Sequence, residues 1–174
     1  MINTYKAELS KTDERTSLLA IDPYAESYKF NEYAICYINE DDIPELIVVD
    51  KDGDIVGDGY STIWLSDLDK ALQCSVTPQG VPYKYIEKEG TLYSVYNASG
   101  WTEDTIYKIQ GQELLSIHSG SAKWIGESPY YFIDERDVSS DEYIDIINSC
   151  MNQEGGREVN YVDASSVIKM IIES

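Results

Sequence analysis

YAICYINEDDIPELIVV, residues 33–49, decides the fold class. Its two ends, 33–38 and 45–49, are short runs rich in β-branched and aromatic residues, the side chains that suit a pleated, half-buried surface. Between them, residues 39–44 hold Asn, Glu, two Asp, Ile and Pro, a composition that stops a strand and turns the chain. The stretch is predicted to form two adjacent strands.

Outward from this pair the same signature recurs. Asp52-Gly53 lies between apolar flanks, Glu89-Gly90 separates YKYIEK from TLYSVYN, and Gln110-Gly111 separates DTIYKI from ELLSIH. Each reads as a hairpin, and successive hairpins build an antiparallel meander, not a parallel α/β sheet. At the N-terminal end, residues 2–20 read as one or two helices, with Tyr5 and Leu9 spaced i,i+4, and Leu18 and Leu19 closing a second apolar stretch before Pro23. In the C-terminal third, Ser139 followed by Glu142 forms a capping box. Tyr143, Ile146, Ile147, Cys150 and Met151 then make one apolar stripe, and Gly155-Gly156 is expected to end that helix. A last helix is expected after Asp163, using Val167, Ile168, Ile171 and Ile172. The fold class is α+β: an antiparallel meander of about six to eight strands, flanked by N-terminal and C-terminal helices. A length of 174 residues fits one domain, spanning 1–174.

The charge balance excludes some partners. Thirteen Lys and Arg stand against 32 Asp and Glu, a formal net charge of -19, whereas a small domain stays soluble with a magnitude of roughly 2–8. Phosphate backbones are repelled and the basic residues are scattered singly, so nucleic acid is not expected as a partner. Cations, a basic protein or a surface ligand are the complements left, beside an acidic surface that is simply solvated. No apolar window is long enough for a transmembrane segment. Cys36, Cys74 and Cys150 are odd in number and widely spaced, which implies no disulfide framework and favours core packing. MINTYKAELSK has no apolar leader core, so the chain reads as cytoplasmic, or as extracellular or surface-bound after loss of an export signal.

The loop between the first two strands carries the most chemistry. Asn39, Asp41 and Glu45, with the Ile43 carbonyl, gather oxygen ligands at alternate positions of a tight turn, the donor type that Ca²⁺ takes in a shell of roughly six to eight. A turn shaped by Pro44-Glu45-Leu46 between two core strands is the competing reading. Asp50, Asp52, Asp54 and Asp58 form a second acidic cluster, but Gly53 follows Asp52 directly and does not stand where a calcium loop needs it, so a hairpin turn explains it. Tyr93, Tyr96 and Trp101, near Asn97, are candidates for an aromatic platform for a sugar or peptide, with core and rim of a sheet as the competing reading.

YAICYINEDDIPELIV resembles the domains of secreted or surface proteins of gut Firmicutes whose strand-loop-strand motif reads about Y-A-L-x-D-x-D-G-D-G-I-P-E-L. The resemblance extends less specifically to IEKEGTLYSVYNASGW, IYKIQGQELLSI and the VSSDEY helix start. It implies a binding domain of a bacterial secreted or surface protein, with metal binding suspected and no enzyme activity. Two departures bear on the metal. Tyr37 stands where the motif has its first acidic ligand, and Asp42 replaces the glycine of the sharp turn, which weakens a Ca²⁺ site.

Catalytic motifs are absent from the sequence. His118 is the one histidine, which rules out a multi-histidine zinc site, and no nucleophile-elbow, P-loop or dinucleotide-binding run occurs. The chain is therefore expected to act by binding and not as an enzyme. Two roles follow: a binding or interaction domain of a bacterial secreted or surface protein, and, from the acidity, an immunity-type inhibitor that blocks a basic toxin.

Overall fold

The computed structural model describes residues 31–50, 60–67, 70–76, 78–98, 100–111, 113–126, 128–152 and 155–173. The helices expected over 2–20, the Asp52-Gly53 turn and most of the second acidic cluster lie outside these residues. Among the described residues eleven strands run in chain order: β1 (Asn31–Cys36), β2 (Glu45–Asp50), β3 (Tyr60–Asp67), β4 (Lys70–Val76), β5 (Val81–Ile86), β6 (Thr91–Ala98), β7 (Trp101–Gln110), β8 (Glu113–Ile125), β9 (Ser128–Ile133), β10 (Arg136–Val138) and β11 (Gly156–Glu158). Helix α1 (Ser140–Met151) lies between β10 and β11, and helix α2 (Ala164–Glu173) follows β11.

The strands form two antiparallel sheets, not the single sheet expected. One has the order β1-β2-β3-β4, and the other the order β10-β9-β8-β7-β6-β5-β11. The physical reason lies in β2. Leu46, Ile47, Val48 and Val49 are all buried, so this strand needs apolar cover on both faces, and a near-continuous apolar run marks such a strand. Tyr33, Leu46 and Val48 pack with Val167, Ile168 and Ile171 of α2. Ala34, Cys36, Ile47, Val49 and Ile63 pack against Tyr85, Leu92, Tyr107 and Ile109 of the seven-stranded sheet. On the far side of that sheet α1 covers Ile86, Ile106 and Ile133 through Tyr143, Ile147 and Met151. The layers run α2, four-stranded sheet, seven-stranded sheet, α1.

The hairpins at Glu89-Gly90 and Gln110-Gly111 form as the sequence indicates. Gly90 and Gly111 adopt φ of 68° and 62°, the left-handed region such turns need. At the start of α1, Ser139 Oγ accepts the Glu142 N–H at 3.1 Å. The Glu142 carboxylate pairs with Arg136 Nη1 at 2.8 Å. The helix ends at Met151 with Asn152 as its cap, not at Gly155-Gly156. Those glycines lead instead into β11, which pairs with β5. Asp163 caps α2, its Oδ1 accepting the Ser166 N–H at 2.8 Å. No helix among the described residues is long and apolar enough to cross a membrane.

Candidate functional site

Two places bring functional side chains together. The first is the β1–β2 loop. Asn39 Oδ1 accepts the Asp41 N–H at 3.0 Å and Asp41 Oδ1 accepts the Ile43 N–H at 2.7 Å, successive turns that short polar side chains make with their own backbone. The loop is tied to the β5–β6 turn of the other sheet. Lys88 N–H donates to the Tyr37 carbonyl at 2.8 Å, and Gly90 N–H donates to the Ile38 carbonyl at 2.5 Å. Outside this tie the Lys88 ammonium pairs with the Asp42 carboxylate, which draws the Asp42 pKa down.

Glu45 lies at the base of the loop, opposite Cys36 in the β1–β2 ladder and fully buried. Its Oε2 accepts the Ile38 N–H at 2.7 Å. Oε1 is buried and meets no hydrogen-bond donor among the described residues. The amides of Asn39 and of Glu45 itself lie near enough to favour the charged carboxylate weakly, without completing a bond to that oxygen. Burial outweighs these donors and pushes the Glu45 pKa up to about 7, with the Asp41 charge adding to the rise. The same burial, helped by Glu45, pushes the Cys36 thiol up to about 12, so Cys36 is an inert core residue.

An orphaned buried carboxylate oxygen is the feature a cation would answer. Asn39, Asp41, the Ile43 carbonyl and Glu45 are the residues that would hold it, and Asn39 Oδ1 and Asp41 Oδ1 already accept backbone N–H groups of the loop. Among the described residues no three His, Cys, Asp or Glu side chains converge as a metal cluster, so amide and carbonyl oxygens would have to complete the donor set.

The second place is an aromatic row on the seven-stranded sheet. Register pairs Trp101 with Lys123 and Lys123 with Tyr130 across β7, β8 and β9. The adjacent row is Tyr96, Glu103, Ser121, Phe132 and Asp137. Opposed residues of a ladder share a face, so both rows lie on the face that packs against the four-stranded sheet farther along. Tyr96 and Trp101 meet edge to face at 6.0 Å. Lys123 Nζ lies 5.7 Å from the Trp101 ring centre and 5.8 Å from that of Phe132, within cation–π range. Desolvation raises the Glu103 pKa, against the lowering effect of Lys123. Tyr130 is 48% exposed, so the row reaches solvent.

Tyr93, expected beside Tyr96 and Trp101, is on the opposite face. It is three residues from Tyr96, an odd step that reverses the side of a strand. There its hydroxyl and that of Tyr143 donate to the two carboxyl oxygens of the buried Asp104, tying α1 to the sheet. Both tyrosine pKa values are raised, first by burial and then by Asp104. Lys123, Tyr130 and Phe132 are members of the platform that residue-by-residue reading misses. Their signal was present in the hairpin at Gln110-Gly111, whose register sets β7 against β8. Comparison of the chain with family models, with curated proteins and with solved structures finds no match.

Proposed function

We propose that the chain is a non-enzymatic binding domain of a bacterial secreted or surface protein and that it takes its ligand on the Trp101, Lys123 and Tyr130 row. The observation that carries this reading is the row itself: aromatic rings fixed by register on a sheet, with an ammonium between them and the Glu103 carboxylate on the next row. Rigid aromatic side chains offer large contact area at small entropic cost. Rings of this kind stack on the C–H face of a sugar or on an apolar peptide side chain, while the charged groups beside them hydrogen-bond hydroxyl or peptide groups. Titration calorimetry with neutral glucose and N-acetylglucosamine hexasaccharides tests the sugar form of the reading. Trp101→Ala and Tyr130→Ala are each expected to weaken binding about tenfold or more, as truncated interface anchors do, with the melting temperature unchanged. Affinity that survives both substitutions removes the row from the proposal.

A second reading, an immunity-type inhibitor of a basic toxin, draws on the net charge of -19 and on Glu103 and Asp137 in the adjacent row. It requires binding to a basic protein with an on-rate that falls steeply as salt rises. The resemblance adds Ca²⁺ at Asn39, Asp41, the Ile43 carbonyl and Glu45. A ligand held only by the folded state raises stability. A Ca²⁺-specific rise in melting temperature over EDTA, abolished by Asp41→Ala, supports that addition, and equal melting in both removes Ca²⁺ from the reading.

A further inference from the structure

The edges of the seven-stranded sheet are blunted by β10 and β11, each of three residues, a common protection against unwanted strand pairing. The longest strand breaks that rule. β8 pairs with β7 from Glu113 to Lys123, with a register shift at Ile117, but β9 covers it only from Gly120 to Ile125. The ladder closes where Asp134 N–H donates to the Ser119 carbonyl at 2.8 Å. Among the described residues nothing pairs with the other side of Glu113 to His118. This free stretch exposes Leu115 and Ile117 by 40% and 45%.

We infer that this uncovered half of β8 pairs antiparallel with the same segment of a second copy of the chain. A two-fold axis normal to the sheet keeps each face of one copy continuous with the same face of the other. It sets Leu115 against Leu115 and brings Glu113 of each copy to the Ile117–His118 end of its partner. The pairing satisfies the open backbone groups and covers both exposed apolar side chains in an isologous contact. Charge permits the same place. In a chain of net charge -19, residues 114–118 read LLSIH and carry no acidic residue, so the centre of this pairing sets no like charges against each other. Repulsion between the remaining surfaces is screened by salt, and self-association therefore strengthens as ionic strength rises.

Sedimentation velocity over a wide concentration range, at physiological salt and at several-fold higher salt, tests the inference. The wild-type chain is expected to form dimers, with the dimer fraction rising with concentration and salt. Leu115→Lys is expected to weaken association about tenfold or more by setting two ammonium groups against each other across the pairing. Trp124→Ala, an exposed aromatic elsewhere on the sheet, leaves association unchanged. Hydrogen exchange of the wild-type chain gives a readout that needs no variant: amides of 113–118 gain protection as concentration rises. A wild-type monomer under all conditions, a Leu115→Lys variant that dimerises like wild type, or exchange at 113–118 independent of concentration each overturn the inference.

Discussion

Glu45 and Asp104 are both buried carboxyl groups, and the molecule holds them in opposite ways. Asp104, between the seven-stranded sheet and α1, receives a tyrosine hydroxyl on each oxygen, from Tyr93 and Tyr143. Glu45, between the two sheets, has the Ile38 amide on one oxygen and, among the described residues, no donor on the other. Burying a carboxylate is costly unless its acceptors are filled. The Asp104 site is thus a completed structural joint, and the Glu45 site is an unfinished one that favours a proton.

The largest effect is expected from breaking the completed joint. Asp104→Ala removes both hydrogen bonds and strands two buried phenols, a loss of about 4 kcal/mol in denaturant unfolding. A loss within measurement error would mean that Asp104 does not anchor α1.

Next comes the pH dependence that Glu45 imposes. Burial raises its pKa from 4.5 to about 7, so the folded protein holds a proton that the unfolded chain releases. Its contribution to stability is complete below the unfolded value and is lost as pH rises through the folded one. Stability should fall by about 3 kcal/mol across that window, at about 1.4 kcal/mol for each pH unit between the two values. Glu45→Gln should remove this part of the slope. An unchanged slope in the variant assigns the pH dependence to other groups.

Tyr143→Phe sharpens the comparison by converting the completed site into a half-filled one. It should cost about 2 kcal/mol, the range of a hydrogen bond to a charged acceptor, and leave the Glu45 slope intact. The smallest effect belongs to Gly120. A methyl group there would stand 3.0 Å from the Tyr143 hydroxyl and from Ile133 Cδ1, so Gly120→Ala should cost about 1 kcal/mol through overpacking. Thermal melting would reveal it, and a neutral result would show that the Tyr143 ring can shift without losing Asp104.

The sequence discloses local structure more readily than it discloses how the layers combine. The β1, β2, β5, β6, β7 and β8 strands and the caps at Ser139 and Asp163 were legible because turn residues and capping side chains act over a few positions. The division into two sheets was not, since it depends on both faces of ELIVV being covered and on the chain leaving one sheet near Gly80 to start another. Glu45 was legible as a candidate ligand, but its burial and its empty oxygen are consequences of sheet packing. Tyr96 and Trp101 were found as a pair, while Lys123, Tyr130 and Phe132 are distant in sequence and meet them only through register. Tyr93 was misplaced because aromatic content was weighed without the parity of the strand.

The measurement that addresses the contrast most directly is a carboxyl-carbon NMR titration of the wild-type protein in EDTA, with the Glu45 resonance identified by its loss in Glu45→Gln. A half-filled, buried Glu45 predicts a midpoint near 7. A midpoint at the ordinary value near 4.5 would contradict the account, because it would mean that the second oxygen is as well satisfied in the folded protein as in water.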